Sequence, residues 1–477
     1  MALRLDNHLF PRFGEHKLHA ITPPLTQAYA DLVADSATWT MPPEIQQVVV
    51  LGFTDAVGVM LAGARENAVC RLTQWALLQG GQPHARVVSC EKALPTAQAA
   101  LINATAAHAL DYDDFAFSNH PSAVLVPTIL AVADAHPASG ATMARAYAVG
   151  YEVWADLFLR EKDLYYDKGW HPTAILGTVG AAAAAAVVQG LSATQTRHAL
   201  ALAASSAGGI FENFGTMAKP YHGGRAASAG VTAAAMAACG LEASATALEG
   251  RHGLLRAFSP LGNVDLQSPI HRGHSWHISA RRLNIKKYPV VGAAQRSIDA
   301  VLGLNQRTRI DPAQVEKMVA LISERHAAVM PYHLPQNALE AKFSLEFAIA
   351  SALRHNAVGF NELQDAVVLD PEMQVLMRCI ALETTTAFEP DWRDAAPFDQ
   401  VTVHLRDGTT VSTSQVRRAT GHADTPLSAS DVHAKFMGCV RHAKVDAAIG
   451  EKLYQSLQQL VTLAGSADIP LPVIHCA

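Results

Sequence analysis

The chain has 477 residues, of which 50% are hydrophobic and only 6% aromatic, and its formal net charge is −5. A chain of this length can bury a sizeable core and is expected to hold two or three domains. Abundant alanine with few aromatic residues favours closely packed helices over a sheet sandwich. Only 17% of the residues are charged and no Lys/Arg run is present, so we expect no nucleic-acid partner.

The cysteines and the apolar stretches indicate the compartment. Six scattered cysteines form no C-x-x-C pair, which predicts free thiols in a reducing compartment and argues against an iron–sulfur cluster. The amino terminus lacks the basic start and apolar stretch of a secretory signal. The longest apolar stretch, 174–190, is mostly Ala and Gly and predicts a buried core helix rather than a membrane span. We therefore expect a cytoplasmic protein without a membrane partner.

Helical patterning runs almost without interruption from about residue 25 to 260. Prolines open predicted helices over 42–61 and 95–108, and a third follows over 141–157. Three segments rich in small residues come next, and their backbones can pack at short distance in the centre of the protein. These segments are 174–189, 194–207 and 224–239.

Strand-like patterning appears after residue 276. The clearest case is a hairpin in which apolar residues alternate over 401–405, Asp407-Gly408 forms a favoured two-residue turn, and 410–412 returns. Helical periodicity resumes over 429–463. We therefore predict a mainly α protein with an inserted α+β domain. The predicted boundaries are 1–275 for the first part of the helical domain, 276–422 for the α+β domain and 423–477 for the carboxyl-terminal part of the helical domain.

Three titratable or cationic side chains each precede a proline near the start of a predicted small-residue helix: His120-Pro121, His171-Pro172 and Lys219-Pro220. Proline is favoured at the first helical position, so the preceding residue is expected at a helix N-terminus. For Lys219 the helix is predicted to begin later, after Gly223-Gly224. Helix N-termini offer N–H donors and a positive dipole end, which attract carboxylates and disfavour imidazolium. The set suits removal of a proton alpha to a carboxylate, although a single His-Pro is more often a structural cap.

An acidic motif, His108-x-x-Asp111-x-Asp113-Asp114, follows the helix predicted over 95–108. It is compatible with a divalent metal site, but a solvated acidic loop at a helix C-terminus is the favoured interpretation. A third possibility is that Asp111 orients a nearby histidine. The glycine-rich stretch 207–215 lacks a dinucleotide fingerprint and a P-loop ending, so no nucleotide is assigned to it.

These motifs resemble the MmgE/PrpD family, which includes 2-methylcitrate dehydratases, cis-aconitate decarboxylases and iminodisuccinate epimerase. The resemblance extends over nearly the whole chain from about residue 25. The matching segments are His108-Ala-Leu-Asp111-Tyr-Asp-Asp114 with His120-Pro-Ser, Gly169-Trp-His171-Pro-Thr, Asn213-Phe-Gly-Thr-Met-Ala-Lys219-Pro-Tyr-His222, Lys287-Tyr288-Pro289 with Ile298-Asp299, and Glu340-Ala-Lys-Phe-Ser344.

The resemblance implies a large helical domain with a smaller lid domain, a homodimer, no cofactor, and a site for a small di- or tricarboxylic acid between the domains. It also weakens the metal interpretation, so no metal is assigned. The expected catalytic residues are Asp111, His120, His171 and Lys219. The expected substrate-binding residues are His222, Tyr288, Thr173 and Asp114.

The sequence departs from the decarboxylase branch at three places. Those decarboxylases carry a lid histidine just after the proline that corresponds to Pro289, whereas 290–292 reads Val-Val-Gly here. Tyr332 is offset from a second lid position, and Phe115 replaces a small hydroxyl residue. Stretch 213–222 is more similar to the epimerase branch than to the methylcitrate dehydratases.

We therefore expect an enzyme in which His120 or His171 removes a proton alpha to a carboxylate while Lys219 and helix N-termini hold substrate carboxylates. A lyase that dehydrates a citrate-like or 2-methylcitrate-like acid is the leading hypothesis. Epimerisation of the iminodisuccinate type, decarboxylation of the cis-aconitate type, which is less favoured, and a catalytically silent acid-binding protein are the alternatives.

Overall fold

The computed structural model describes residues 24–270, 276–389 and 395–476. The residues that suggested the absence of a secretory signal lie outside these ranges. The first core is helical and contains most of the segments predicted as small-residue helices. Its helices up to residue 281 are α1 (Leu25–Asp35), α2 (Pro43–Gly63), α3 (Asn67–Gln79), α4 (Thr96–His108), α5 (Pro121–Ala135), α6 (Gly140–Arg160), α7 (Pro172–Gln189), α8 (Ala193–Ser206), α9 (Ala218–Ala238), α10 (Leu254–Phe258) and α11 (His277–Arg281).

The predicted helices are confirmed, but the prediction of near-continuous helix is wrong at one place. A short hairpin of β1 (Ala85–Val87) and β2 (Cys90–Leu94) stands between α3 and α4. Among the described residues, two helices, α2 and α7, are long and apolar enough to cross a membrane, but 72% and 94% of their apolar windows are buried inside the protein. Both therefore serve as core helices.

The second core belongs to an α+β part of the chain. It contains α12 (Gln295–Arg307), α13 (Glu324–Ala328), α14 (Ala338–Ala341), α15 (Leu345–His355), α16 (Asp365–Val368) and α17 (Pro371–Arg378), with strands β3 (Val315–Ser323), β4 (Ile380–Thr385), β5 (Gln400–Leu405) and β6 (Thr410–Ser412). The strand order is β4-β3-β5-β6, with β3 parallel to β4 and antiparallel to β5. The predicted hairpin is confirmed as the antiparallel β5–β6 pair.

The chain returns to the helical core at its carboxyl end. Helices α18 (Ala429–His442) and α19 (Ala447–Gln458) confirm the predicted helical periodicity. Phe436, Val440 and Leu453 of these helices are buried in the first core, together with Ile285 from the segment that precedes the α+β part. The protein is thus mostly helical with one small mixed sheet, built around two hydrophobic cores.

Two of the six cysteines are paired. Cys70 on α3 and Cys476 near the carboxyl end form a disulfide, whereas Cys90, Cys239, Cys379 and Cys439 are free. The prediction of free thiols is therefore wrong for Cys70 and Cys476. Disulfides persist mainly in oxidising compartments, so this pair does not support the expected cytoplasmic location, which stays a prediction.

Glycine allows the central helices to approach closely. A Cβ added at Gly230 of α9 would lie 2.5 Å from the Cβ of Ala181 and 2.6 Å from the backbone nitrogen of Ala182 on α7. A Cβ at Gly150 of α6 would lie 2.9 Å from the carbonyl oxygen of Gly180. Because backbone atoms cannot retreat as a flexible side chain can, α7 is held between α6 and α9 at a distance that only small residues permit.

The substitution Gly230→Ala is expected to lower the free energy of unfolding by about 1–3 kcal/mol, since the added methyl overpacks the α7–α9 contact. The matched control is Gly303→Ala in the interior of α12, where an added Cβ meets nothing within 4 Å. There alanine should raise stability by about 0.5–1 kcal/mol through its better helix propensity. Denaturant unfolding of both variants tests this, and shifts in the same direction would contradict the packing argument.

Candidate functional site

Helix N-termini position two histidines of the site. His120 and His171 are the N-cap residues of α5 and α7, and a proline follows each at the first helical position. Neither side chain caps its own helix among the described contacts, so both rings are available to other partners. The prediction of two His-Pro helix entrances is confirmed.

Lys219 occupies a related position, but not the one expected. Helix α9 begins at Ala218, so Lys219 and Pro220 lie in its first turn. The prediction that the helix starts after Gly223-Gly224 is therefore wrong. A proline is tolerated there because the first N–H groups of a helix have no partner within the helix.

Asp111 is the ionic centre of the site. It has a positive φ of 50°, a left-handed backbone conformation in which its carboxylate reaches Lys219 and Lys286. Lys286 Nζ lies 2.8 Å from both Oδ2 and the carbonyl oxygen of Asp111. All three side chains are buried. Burial opposes ionisation of Asp111, but the two ammonium groups hold its pKa well below the ordinary value.

Sequence reasoning missed Lys286 as a site residue. Lys286 directly precedes the motif Lys287-Tyr288-Pro289, and this position was the available signal. Burial lowers the pKa of Lys219, and the Asp111 carboxylate opposes that shift. Two buried ammonium groups thus share the one carboxylate of Asp111.

Asp113 joins two histidines. Its Oδ2 lies 2.9 Å from His108 Nδ1 and 2.8 Å from His120 Nδ1. Burial would raise the pKa of Asp113, but the two imidazoles hold it well below its ordinary value. Donation of the Nδ1–H of His120 to Asp113 leaves Nε2 as the acceptor nitrogen. Two earlier hypotheses are thus wrong: the motif is not a solvated loop, and Asp113 rather than Asp111 orients the histidines.

His108, Asp113 and His120 are also close enough to share a cation. Their separations of 2.8 and 2.9 Å are those of hydrogen-bonded groups, and each ring would have to lose its Nδ1 proton before that nitrogen could bind a metal. The donor set therefore fits the hydrogen-bonded arrangement better than a metal site.

His171 and His222 form a second imidazole pair, with 3.1 Å between their Nδ1 atoms. Burial and the charge of Lys219 lower the pKa of His171 far below its ordinary value and that of His222 to about 4. Burial likewise lowers the pKa of His108, to about 3, and that of His120. These rings are neutral at pH 7, as expected from the sequence, although burial rather than the helix dipole is the main cause.

A cavity of about 200 Å³ lies where the helical and α+β parts meet. Asp111, His120, Lys219 and Lys286 line one side of it, and Arg325 and His326 of α13 also reach it. Its apolar lining includes Phe115, Phe211, Phe214, Val291, Val329 and Phe343. The structure thus brings together three of the four residues predicted to be catalytic.

The other predicted residues lie outside this lining. His171 is fully buried and contacts the cavity wall through Phe214, with 4.9 Å between ring centroids. Thr173 and His222 are buried beside it, on α7 and α9. Their expected roles stay predictions.

Two residues predicted to bind substrate, Tyr288 and Asp114, do not line the cavity. Tyr288 is buried in the second core and donates its hydroxyl to Asp299 Oδ1 at 2.7 Å, so contrary to expectation it does not line the cavity. Asp114 is buried beside Asp55, whose carboxylate accepts its backbone N–H. Burial and the Asp55 charge raise the pKa of Asp114 well above its ordinary value, and Asp114 does not line the cavity.

The depressed pKa of His222 gives a pH-dependent contribution to stability. An unfolded histidine titrates near ~6.5, so the folded state binds fewer protons than the unfolded state below that pH. Neutral His222 makes its full contribution to the free energy of unfolding above about pH 6.5. This contribution is lost as the pH falls towards about 4. The difference in unfolding free energy between the wild type and His222→Asn should therefore shrink over this window, by up to ~1.4 kcal/mol per pH unit. Chemical denaturation at several pH values tests it, with His84→Asn as the exposed control; a constant difference would contradict the pKa shift.

Comparison with known proteins gives the family. Residues 27–267 match the MmgE/PrpD N-terminal domain and residues 288–458 match the MmgE/PrpD C-terminal domain. A cis-aconitate decarboxylase of Mus musculus is 28% identical over 397 residues, covering 80% of each chain. A cis-aconitate decarboxylase of Homo sapiens is 29% identical over 367 residues, covering 75% of this chain and 73% of the relative. A third, from Aspergillus terreus, is 22% identical over 419 residues. The family models cover most of the chain, and the protein therefore belongs to the MmgE/PrpD family.

Proposed function

We propose that the protein is a lyase that releases CO₂ from a small unsaturated di- or tricarboxylic acid. The main observation that supports this proposal is a pair of buried lysines at the cavity. Lys219 and Lys286 share the single carboxylate of Asp111 there. Ammonium groups in a buried site bind carboxylates and stabilise negative charge that develops on them. The similarity to three cis-aconitate decarboxylases supports this reaction over the dehydration that the sequence motifs favoured.

The proposed reaction balances without an added oxidant or reductant. The bond between the leaving carboxylate and its carbon breaks, and its electron pair forms a new double bond. The old double bond then takes up a proton at the carbon alpha to a second carboxylate. Lys219 is the proposed proton donor because it is cationic, lies at the cavity and has a lowered pKa. Water returns the proton to the lysine after each turnover.

Dehydration or epimerisation is the second candidate, and His120 is the observation that favours it. Its ring lines the cavity, its pKa is lowered by burial, and its Nδ1 is bound to Asp113, so Nε2 is a neutral base. Such a base can remove a proton alpha to a carboxylate. Val291 lines the cavity, and the sequence lacks the lid histidine that the decarboxylase branch carries just after the corresponding proline; both are compatible with this candidate.

Assembly as a homodimer is part of the same proposal. Exposed apolar side chains at and just after the carboxyl end of α9, Met236 and Leu241, provide a surface that a second copy would cover.

The substitution Lys219→Met should lower kcat/KM for cis-aconitate by about 10²–10³-fold, since it removes a charge that acts on the developing anion. Proton NMR in D2O follows the reaction, with citrate, 2-methylcitrate and iminodisuccinate as the other substrates, after treatment with a chelator. Lys317→Met, at an exposed position of β3, is the matched control. Dehydrated or epimerised products without CO₂ release would favour the second candidate. A folded protein that exchanges no proton with any of these acids would contradict both.

Asp113 is proposed to position His120 rather than to touch the substrate. The substitution Asp113→Asn keeps the size of the side chain but removes the anion shared by His108 and His120. We expect kcat to fall by about 10–100-fold with little change in KM, and the pH profile to shift, because the tautomer of His120 is no longer fixed. Asp407→Asn in the exposed β5–β6 turn is the control. A pH profile identical to that of the wild type would contradict a positioning role.

A further inference from the structure

One wall of the cavity is apolar and close to the reacting groups. Phe115 follows Asp111 by four residues in the chain and lines the same cavity as His120 and Lys219. Its backbone is fixed by reciprocal hydrogen bonds of 2.9 Å with Asn284. A Cβ added at Gly292 would lie 3.3 Å from Phe115 Cε1, so the ring packs directly against Gly292. Val291 lies beside it at the cavity.

The cations at the cavity are balanced by carboxylates of the protein, and the wall formed by Phe115 and Val291 carries no charged group. Among the described residues that line it, the cations are Lys219, Lys286 and Arg325, and the carboxylates are Asp111 and Asp167. With neutral histidines and the carboxylate of Asp113, which is buried behind His120, three cations thus face three carboxylates. A third substrate carboxylate would have to be desolvated against Phe115 and Val291, which offer it no hydrogen bond.

From this geometry we infer that the substrate carries an alkyl or aryl group against Phe115 and Val291 where a tricarboxylic acid would carry its third carboxylate. This inference rests on the proposed function and narrows its substrate class to apolar-substituted unsaturated dicarboxylic acids. Phe115 is the specificity-determining residue. The two substrate carboxylates face Lys219, Lys286 and Arg325, and the apolar group takes the place of water along the aromatic wall.

The reaction remains balanced for such a substrate. In a glutaconic acid substituted at carbon 3, the carboxylate on the saturated carbon leaves as CO₂ and its bonding electrons form the new terminal double bond. The old double bond takes up a proton alpha to the remaining carboxylate, and a 3-substituted but-3-enoate results. cis-Aconitate is the member of this series whose carbon 3 carries a carboxylate, so the series varies only the group placed against Phe115.

The test measures kcat/KM for cis-aconitate, 3-methylglutaconate and 3-propylglutaconate in the wild type and in Phe115→Thr. In the wild type, 3-propylglutaconate should exceed cis-aconitate by at least about tenfold, with about a fourfold gain per added methylene. Phe115→Thr should reduce that ratio by about tenfold or more. Both kcat/KM values are measured on the same enzyme sample. A smaller fraction of folded protein therefore lowers both values equally and leaves their ratio unchanged. Phe360→Thr, whose ring stacks on His442 and does not line this cavity, is the matched control and should keep the wild-type ratio.

Binding separates failure of this inference from failure of the proposed reaction. Calorimetry compares 2-propylsuccinate with propane-1,2,3-tricarboxylate, neither of which has a double bond to shift. Tighter binding of propylsuccinate that is lost in Phe115→Thr supports the inference even if no glutaconate releases CO₂, in which case only the proposed function fails. Tighter binding of the tricarboxylate, or an unchanged preference in Phe115→Thr, overturns the inference whatever the reaction proves to be.

Discussion

The buried carboxylate of Asp111 is the contact on which the site depends. It receives Lys219 from the first turn of α9 and Lys286 from the segment that leads into the α+β part. Lys342, from the α+β part, donates to the carbonyl oxygen of Ala109, which lies two residues before Asp111 in the chain. Removing one member of a buried ion pair is costly, about 3–5 kcal/mol, because the remaining charges lose their partner. The segment 109–111 therefore fixes the relative positions of the two parts of the protein and of the cations that line the cavity.

The buried titratable side chains around Asp111 differ in their charge. The histidines are kept neutral by burial, whereas the lysines stay paired with a carboxylate. Asp113 sets the tautomer of His120. Burial and the charge of Asp55 raise the pKa of Asp114, three residues after the lysine-bound Asp111. Asp111 and Asp113 thus have lowered pKa values and Asp114 a raised one, although all three are buried, and their different partners are the cause.

Several elements of the fold and of the site could be predicted from the sequence. Proline at the first helical position identified the entrances of α5 and α7, and the Asp-Gly turn identified the β5–β6 hairpin. These are local signals, since each depends on the conformation of a few neighbouring residues. The motif resemblance gave the family and three of the residues that line the cavity.

The features of the site that could not be predicted from the sequence depend on contacts between residues that are distant in the chain. Lys286 lies 175 positions from its partner, Asp111, and nothing in its neighbourhood distinguishes it from Lys287. Asp113 contacts His108 and His120 in a turn where Asp111 has a positive φ, a conformation that the residue type alone does not predict. Tyr288 lies in the second core, where its hydroxyl donates to Asp299.

The Cys70–Cys476 bond makes nearly the whole polypeptide a covalent ring, because its partners are 406 positions apart. The chain-entropy model assigns a loop of this size about 6 kcal/mol of stabilisation through the restricted unfolded state. The carboxyl end is further bound where the backbone of Ile474 donates to the carbonyl oxygen of Val88. Resistance to unfolding in this protein is consequently linked to the thiol–disulfide balance of its surroundings, while the Asp111 site itself contains no cysteine among its described neighbours.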